Sequence, residues 1–261
     1  MEEGAAINAA TPTQPTLKTW RGSVIERTLD VQVAREIGVR ILAGELPVGS
    51  VLPNESLLGL DLGVSRTVLR EAIKVLEAKG LVEVRRKTGT RIRPRSDWNA
   101  LDPDILRWLF AGPGFIPGIS DLLELRLIIE PAGAHRAAAR RTAADLQEIS
   151  NALHGMEATR ENAEATVDAD LRFHLAILEA THNAFMRPFG ALIQEALCAS
   201  FRLTNKDRHA YECSIERHRA VYLAIEARNP EAAKEAMRVV LNKTSEDIQR
   251  AIADKAVKRE F

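Results

Sequence analysis

The chain has 261 residues, 46% of them hydrophobic, with 36 Lys and Arg exactly offset by 36 Asp and Glu. That composition suits a globular protein of about two domains and excludes a disordered chain, and no apolar run approaches the ~18 residues that a membrane span needs. The neutral total hides an asymmetry: residues 21–95 carry 14 basic and 9 acidic side chains, a net of +5, whereas residues 96–261 carry a net of −4.

Residues 1–20 are rich in Ala, Thr and Pro and read as a disordered leader; no basic region followed by an apolar one marks a secretory signal there. A helical stripe of Val33, Ile37, Ile41 and Leu42 follows and stops at Gly44. A short helix from Asn54 to about Leu60 comes next, then a tight segment around Gly63. Ser65 is placed to cap a further helix that runs to Lys79 and stops at Gly80. Residues 81–84 and 90–93 alternate as two short strands around Lys87-Thr88-Gly89. Helix, helix, turn, helix and hairpin describe a winged helix-turn-helix over residues 21–95.

Residues 96–115 read as a linker with one short helix through Trp108, broken by a Gly/Pro cluster at 112–118. From residue 116 to 261 the pattern is wholly helical, with Ser120 as the expected cap of a long helix to Arg140 and further segments near 143–160, 164–181, 186–206, 212–227 and 230–255. The fold class is therefore mainly α: an N-terminal winged helix-turn-helix followed by an all-α bundle of six to seven helices. Cys198 and Cys213 form no disulfide or metal pattern, which suits a reducing cytoplasm.

The basic segment points to double-stranded DNA as partner. In a helix-turn-helix the second helix enters the major groove by its N-terminal end. Here that end reads Ser65-Arg66-Thr67-Val68-Leu69-Arg70, with Arg66 and Arg70 on one helix face. Arginine suits the paired acceptors of guanine, while Ser65 and Thr67 reach phosphates. The tip Lys87-Thr88-Gly89 would follow the phosphate backbone or enter the minor groove, and residues 85–95 hold six positive charges and no negative one.

In the acidic half, Asp170 and His174 lie four apart on a stripe with Leu171, Leu175 and Leu178, and His218 shares a stripe with Val221, Tyr222 and Ile225. Two imidazoles and a carboxylate suit a divalent metal such as zinc, nickel or manganese, though satisfied core histidines would give the same pattern. Arg126 lies on an inward stripe with Glu130 four residues on, so it either pairs with Glu130 or grips an acidic ligand. Asp170, His174 and His218 could also activate water in a metal-dependent enzyme, with Glu130 or Glu195 as base.

The run Leu52-Pro53-Asn54-Glu55, then Val64-Ser65-Arg66-Thr67-Val68-Leu69-Arg70-Glu71-Ala72, then Leu76-Glu77-Ala78-Lys79-Gly80-Leu81-Val82 resembles the GntR family of bacterial transcription regulators. The resemblance implies operator contacts by Ser65, Arg66, Thr67 and Arg70 and minor-groove access at the wing glycine, Gly89. One position departs: a basic residue often follows the Pro-x-Glu of this motif, and here it is Ser56.

The second half resembles the FadR-type branch with an FCD effector domain, through Leu125-Arg126-Leu127-Ile128-Ile129-Glu130-Pro131, Asp170-Leu171-Arg172-Phe173-His174 and Glu216-Arg217-His218-Arg219. That resemblance implies a divalent metal on Asp170, His174 and His218, with an organic acid completing the shell. The usual fourth ligand position falls on Val240, which cannot ligate. Residues 97–108 resemble the linker of FCD regulators of sugar-acid catabolism, implying a small hydroxy acid held by Arg126 with Glu130 and Arg172 nearby. Together these imply a homodimeric, cytoplasmic repressor, not an enzyme, reading a pseudo-palindromic operator and released from it by a carboxylate effector; a metal-free sensor of acyl or aromatic acids is the alternative within the family.

Overall fold

The computed structural model describes residues 28–111, 116–159, 163–204 and 208–257. The leader expected over 1–20 lies outside them, as does most of the Gly/Pro cluster. Among the described residues the chain forms α1 (Leu29–Leu42), α2 (Glu55–Asp61), α3 (Arg66–Ala78), a hairpin of β1 (Val82–Arg85) and β2 (Gly89–Ile92), then α4 (Pro103–Ala111), α5 (Ile116–Arg140), α6 (Ala143–Ala158), α7 (Ala163–Glu179), α8 (Gly190–Thr204), α9 (Arg208–Glu226) and α10 (Pro230–Val257). The expected class, a winged helix-turn-helix followed by an all-α bundle, is the observed one.

Local chemistry fixes the ends of the reading helices. Asn54 Oδ1 accepts the Leu57 N–H at 2.9 Å and starts α2, and Ser65 Oγ accepts the Val68 N–H at 3.4 Å and starts α3. Each such cap is worth about 1 kcal/mol. Gly80 ends α3 at φ 76°, and its close approach to the Asp97 carbonyl leaves no room for a β-carbon. The hairpin pairs Val82 with Ile92 and Arg85 with Gly89 in antiparallel register. Lys87 at φ 72° and Gly89 at φ 86° turn the chain at its tip. Val51 forms a bridge to Arg91, so the loop before α2 braces the wing.

Two boundaries differ from expectation. Ser120 does not cap the long helix; α5 already begins at Ile116. A proline at the second position removes no intrahelical hydrogen bond, so Pro117 is no obstacle to the earlier start. The segment before α8 is a 3₁₀ turn, Arg187–Phe189, that leads into Gly190.

Apolar stripes build two neighbouring cores. Ile37, Ile41, Leu69, Leu76, Leu81 and Ile92 fill the winged helix, and Phe173, Ile177, Met156, Val221 and Leu241 fill the centre of the bundle. The stretch expected as a linker is itself packed. α4 places Ile105 and Trp108 in the first core and Leu106 and Phe110 against Leu192, Ala196 and Ala199 of α8. Its start is pinned by Lys79, whose Nζ lies 2.8 Å from Asp102 Oδ1 and 2.9 Å from Asp104 Oδ2. Burial alone would push the Lys79 pKa down, but the two carboxylates outweigh it and raise it.

Candidate functional site

The DNA-reading candidates are all at the surface. Ser65, Arg66, Thr67 and Arg70 on α3 are all exposed, as are Lys87, Thr88 and Gly89 at the wing tip. Arg66 Nη2 donates to Ser56 Oγ at 3.0 Å, and Arg70 Nε donates to Glu55 Oε2 at 2.9 Å. On the wing, Arg85 pairs with Glu83 at 2.7 Å and Arg93 with Asp97 at 2.8 Å. Arg86, Lys87 and Arg91 have no ion-pair partner among the described residues and add unneutralised positive charge to the wing.

The second cluster is interior. α5, α7 and α9 meet where small residues let them approach. A β-carbon on Gly133 would lie 2.9 Å from Leu178 Cδ2, and Ala134, Ala137, Ala169 and Ala176 are buried on the same helices. This close approach brings Glu130 of α5 to His174 of α7, with His174 Nδ1 and Glu130 Oε2 in direct contact. His218 of α9 donates from Nδ1 to the Ser214 carbonyl at 2.7 Å. Each imidazole thus has its Nδ1 committed to an acceptor, which turns the Nε2 lone pair inward.

Those two nitrogens lie 3.4 Å apart, and each faces Asp170 Oδ1, at 3.2 Å from His174 and 3.1 Å from His218. Asp170 Oδ1 is buried, and the groups that face it are the Nε2 atoms of the two imidazoles. With both imidazoles neutral, these three atoms, all within 4.8 Å of one another, are the donor set that a divalent cation satisfies. The residues present therefore fit a metal of borderline hardness. Phe173 packs edge-on against both rings and keeps water from their flanks, while Asp170, at 18% side-chain exposure, is the most open of the three.

The electrostatics are strongly coupled. Burial raises the Glu130 pKa, but Arg126 and His174 overcome that and bring it down to about 2. Burial likewise opposes ionisation of Asp170, yet the two histidines hold it well below the usual carboxylate range. Burial lowers the His174 pKa, and Glu130 and Asp170 more than reverse this, to about 9.

Of the alternatives for Arg126, the pair is what forms: Arg126 Nε donates to Glu130 Oε1 at 2.5 Å, both side chains being buried. Arg126 Nη1 is buried without a hydrogen-bond partner among the described residues. It borders a crevice of Leu122, Ile129, Phe189, Leu192 and Ile193 with room for about one water molecule. Arg172 is not brought to this cluster. It is half exposed and pairs with Asp168 four residues back, because residues 170 and 174 face inward and 172 faces away. Glu130, expected beside the effector, sits behind His174 and orients it. Glu195 is buried on α8 and faces Arg107 of α4 at 3.8 Å. Val240 lies in the apolar core beside Met237 and offers no ligand. The Ser214 carbonyl was not foreseeable, since a backbone acceptor has no residue signature.

A basic winged helix joined to a helical bundle with an interior polar centre defines a ligand-responsive, DNA-binding transcription regulator. The comparisons agree. Residues 29–92 match the model for bacterial regulatory proteins of the gntR family, and residues 121–243 match the FCD domain. The chain is similar to the galactonate operon transcriptional repressor of Escherichia coli, at 35% identity over 77% of this chain and 88% of that protein. It is also similar to the putative L-lactate dehydrogenase operon regulatory protein of Escherichia coli, at 36% identity over 89% and 91%. In fold it resembles Lar, described as controlling the Listeria monocytogenes agr system, with a TM-score of 0.62 at 22% identity over 85% of this chain and 97% of that one. The chain belongs to the GntR family and carries an FCD effector domain.

Proposed function

We propose that this regulator represses a catabolic operon for a sugar acid or another small organic acid and is released from its operator when that acid binds in the bundle. The observation that carries this reading is the Asp170–His174–His218 centre on α7 and α9, three ligand atoms within 4.8 Å of one another, packed against α5, whose Arg126 Nη1 is buried without a hydrogen-bond partner among the described residues. A metal and a carboxylate are the two charges those groups call for. The names of the relatives, a galactonate operon repressor and an L-lactate dehydrogenase operon regulator, belong to the same hydroxy-acid chemistry.

In this reading Asp170, His174 and His218 hold a divalent metal, zinc above nickel or manganese, and the metal supplies a Lewis-acidic seat for carboxylate and hydroxyl oxygens. Glu130 keeps His174 in the ligating tautomer, and Arg126 meets the acid's negative charge. The chain acts as a sensor and not as an enzyme: Glu130 is committed to Arg126 and His174, and Glu195 faces Arg107, so neither carboxylate stands as a general base. The protein works as a cytoplasmic homodimer on a pseudo-palindromic site, since two-fold protein symmetry is mirrored in DNA half-sites.

The crevice at Arg126 has room for only about one water molecule, so an acid that enters it has to part α5 from α8. α8 also carries the surface on which α4 rests. A shift there moves the reading heads, at a coupling of roughly 1–3 kcal/mol. A thermal-shift screen against sugar acids, with and without added divalent metal, tests the proposal. A metal-dependent rise in melting temperature with one or a few hydroxy acids supports it. No response to any of them, metal present, removes the effector class.

A further inference from the structure

We propose that Glu55 and Ser56, the first two residues of α2, are positioning residues that set base specificity by holding Arg70 and Arg66 in their reading conformations before DNA arrives. The Asn54 cap fixes where α2 begins and so aims both residues at α3. Glu55 takes only Nε of Arg70, at 2.9 Å, which leaves the terminal fork of that guanidinium turned outward on a side chain that remains 65% exposed. That fork is the part that matches O6 and N7 of guanine. Ser56 accepts from Nη2 of Arg66 at 3.0 Å and retains its own hydroxyl proton to donate to a phosphate.

The physical gain is pre-organisation. A free arginine loses much rotamer freedom when it docks on one base, and one already pinned loses less. The Glu55 carboxylate adds a second effect. At the DNA face it repels every phosphate equally, while its alignment of Arg70 helps only where a guanine is present. It therefore lowers indiscriminate affinity and raises discrimination. Ser56, at the position where a basic residue commonly stands in this family, exchanges a phosphate-binding charge for alignment of Arg66.

This inference rests on α3 being the reading helix, and the experiment separates the two. The full-length protein selects its consensus duplex from a random-sequence pool, and affinities are then measured for that duplex, for each single-base variant and for a random duplex. Arg66→Ala and Arg70→Ala establish which guanine each arginine reads. Glu55→Gln is expected to cut discrimination at the Arg70 guanine by about tenfold while affinity for the random duplex rises. Ser56→Ala is expected to do the same at the Arg66 position without that rise, and Ser56→Thr, which keeps the hydroxyl, to restore it. Unchanged discrimination in Glu55→Gln and Ser56→Ala, with both arginine variants relaxed, overturns the positioning role and leaves the reading helix intact. Equal losses on all duplexes overturn it as well, because a merely structural role predicts them. If neither arginine variant relaxes specificity, the assignment of α3 fails first. Both positions are on the surface, and melting curves identify any variant that does not fold.

Discussion

The indole of Trp108 lies against the backbone of Gly38, so closely that a β-carbon at position 38 would come within 2.5 Å of its six-membered ring. This contact seats α4 on α1. Trp108 is 1% exposed, and Lys79 at the end of α3 stacks 5.5 Å above its ring. Because the next residues of α4 rest on α8, the reading head and the bundle share one helix. A displacement of α8 has a direct mechanical route to α3.

The first prediction follows from that contact and has an unusual sign. Gly→Ala inside a helix ordinarily stabilises by up to about 1 kcal/mol. Here Gly38→Ala overpacks the Trp108 contact and is expected to destabilise by about 1–3 kcal/mol, read by urea unfolding. Net stabilisation would mean that α4 is not held as described.

The second concerns protons. His174 in the metal-free protein has its pKa raised from 6.5 to about 9, so its contribution to stability is complete below about pH 6.5 and lost as pH rises toward 9. Asp170 is depressed, so its contribution is present above about pH 4 and lost on acidification. Metal needs the neutral imidazole, and its affinity should therefore climb by about tenfold per pH unit from pH 7 toward 9. Competition with a chelator at several pH values measures this. A flat profile would contradict the coupling of His174 to Glu130 and Asp170.

The third isolates Glu130. Glu130→Gln keeps the shape but weakens the acceptor behind His174, and should lower metal affinity about 10- to 100-fold. Arg126→Ala instead leaves the buried Glu130 with His174 as its remaining partner and should cost about 3 kcal/mol in folding stability. Calorimetry on both variants distinguishes a ligand-orienting carboxylate from a purely structural pair.

The fourth separates wing from helix. Lys87→Ala should weaken binding about equally on all sequences and reduce the salt slope by about 1, whereas Arg66→Ala should cost about 1–3 kcal/mol and relax one base position. Base-selective loss on Lys87→Ala would put the wing tip in a groove, reading sequence.

The elements were legible in the sequence because their signals are local. Ser65, Gly80 and the alternation around Lys87–Gly89 each act within a few residues, and Asp170 with His174 is a spacing within one helix. The early start of α5 was not legible, since the Gly/Pro cluster suggested a break and the packing of α5 against α7, α8, α9 and α10 outweighs that local preference. Glu130 behind His174 and the seat of Trp108 on Gly38 depend on contacts between residues far apart in the chain, which no periodicity carries. Arg172, two residues from both Asp170 and His174, lies off their shared face by helical spacing alone, so its outward pairing with Asp168 was legible in the sequence.

The central claim is that a carboxylic acid in the bundle releases DNA. It is tested by the affinity of the metal-loaded protein for its selected operator while a sugar acid that raises the melting temperature is titrated in. Operator binding is expected to weaken by about 5- to 150-fold as the acid is added, and the effect to disappear in His174→Ala. An acid that binds, with metal in place, and leaves operator affinity unchanged would contradict it.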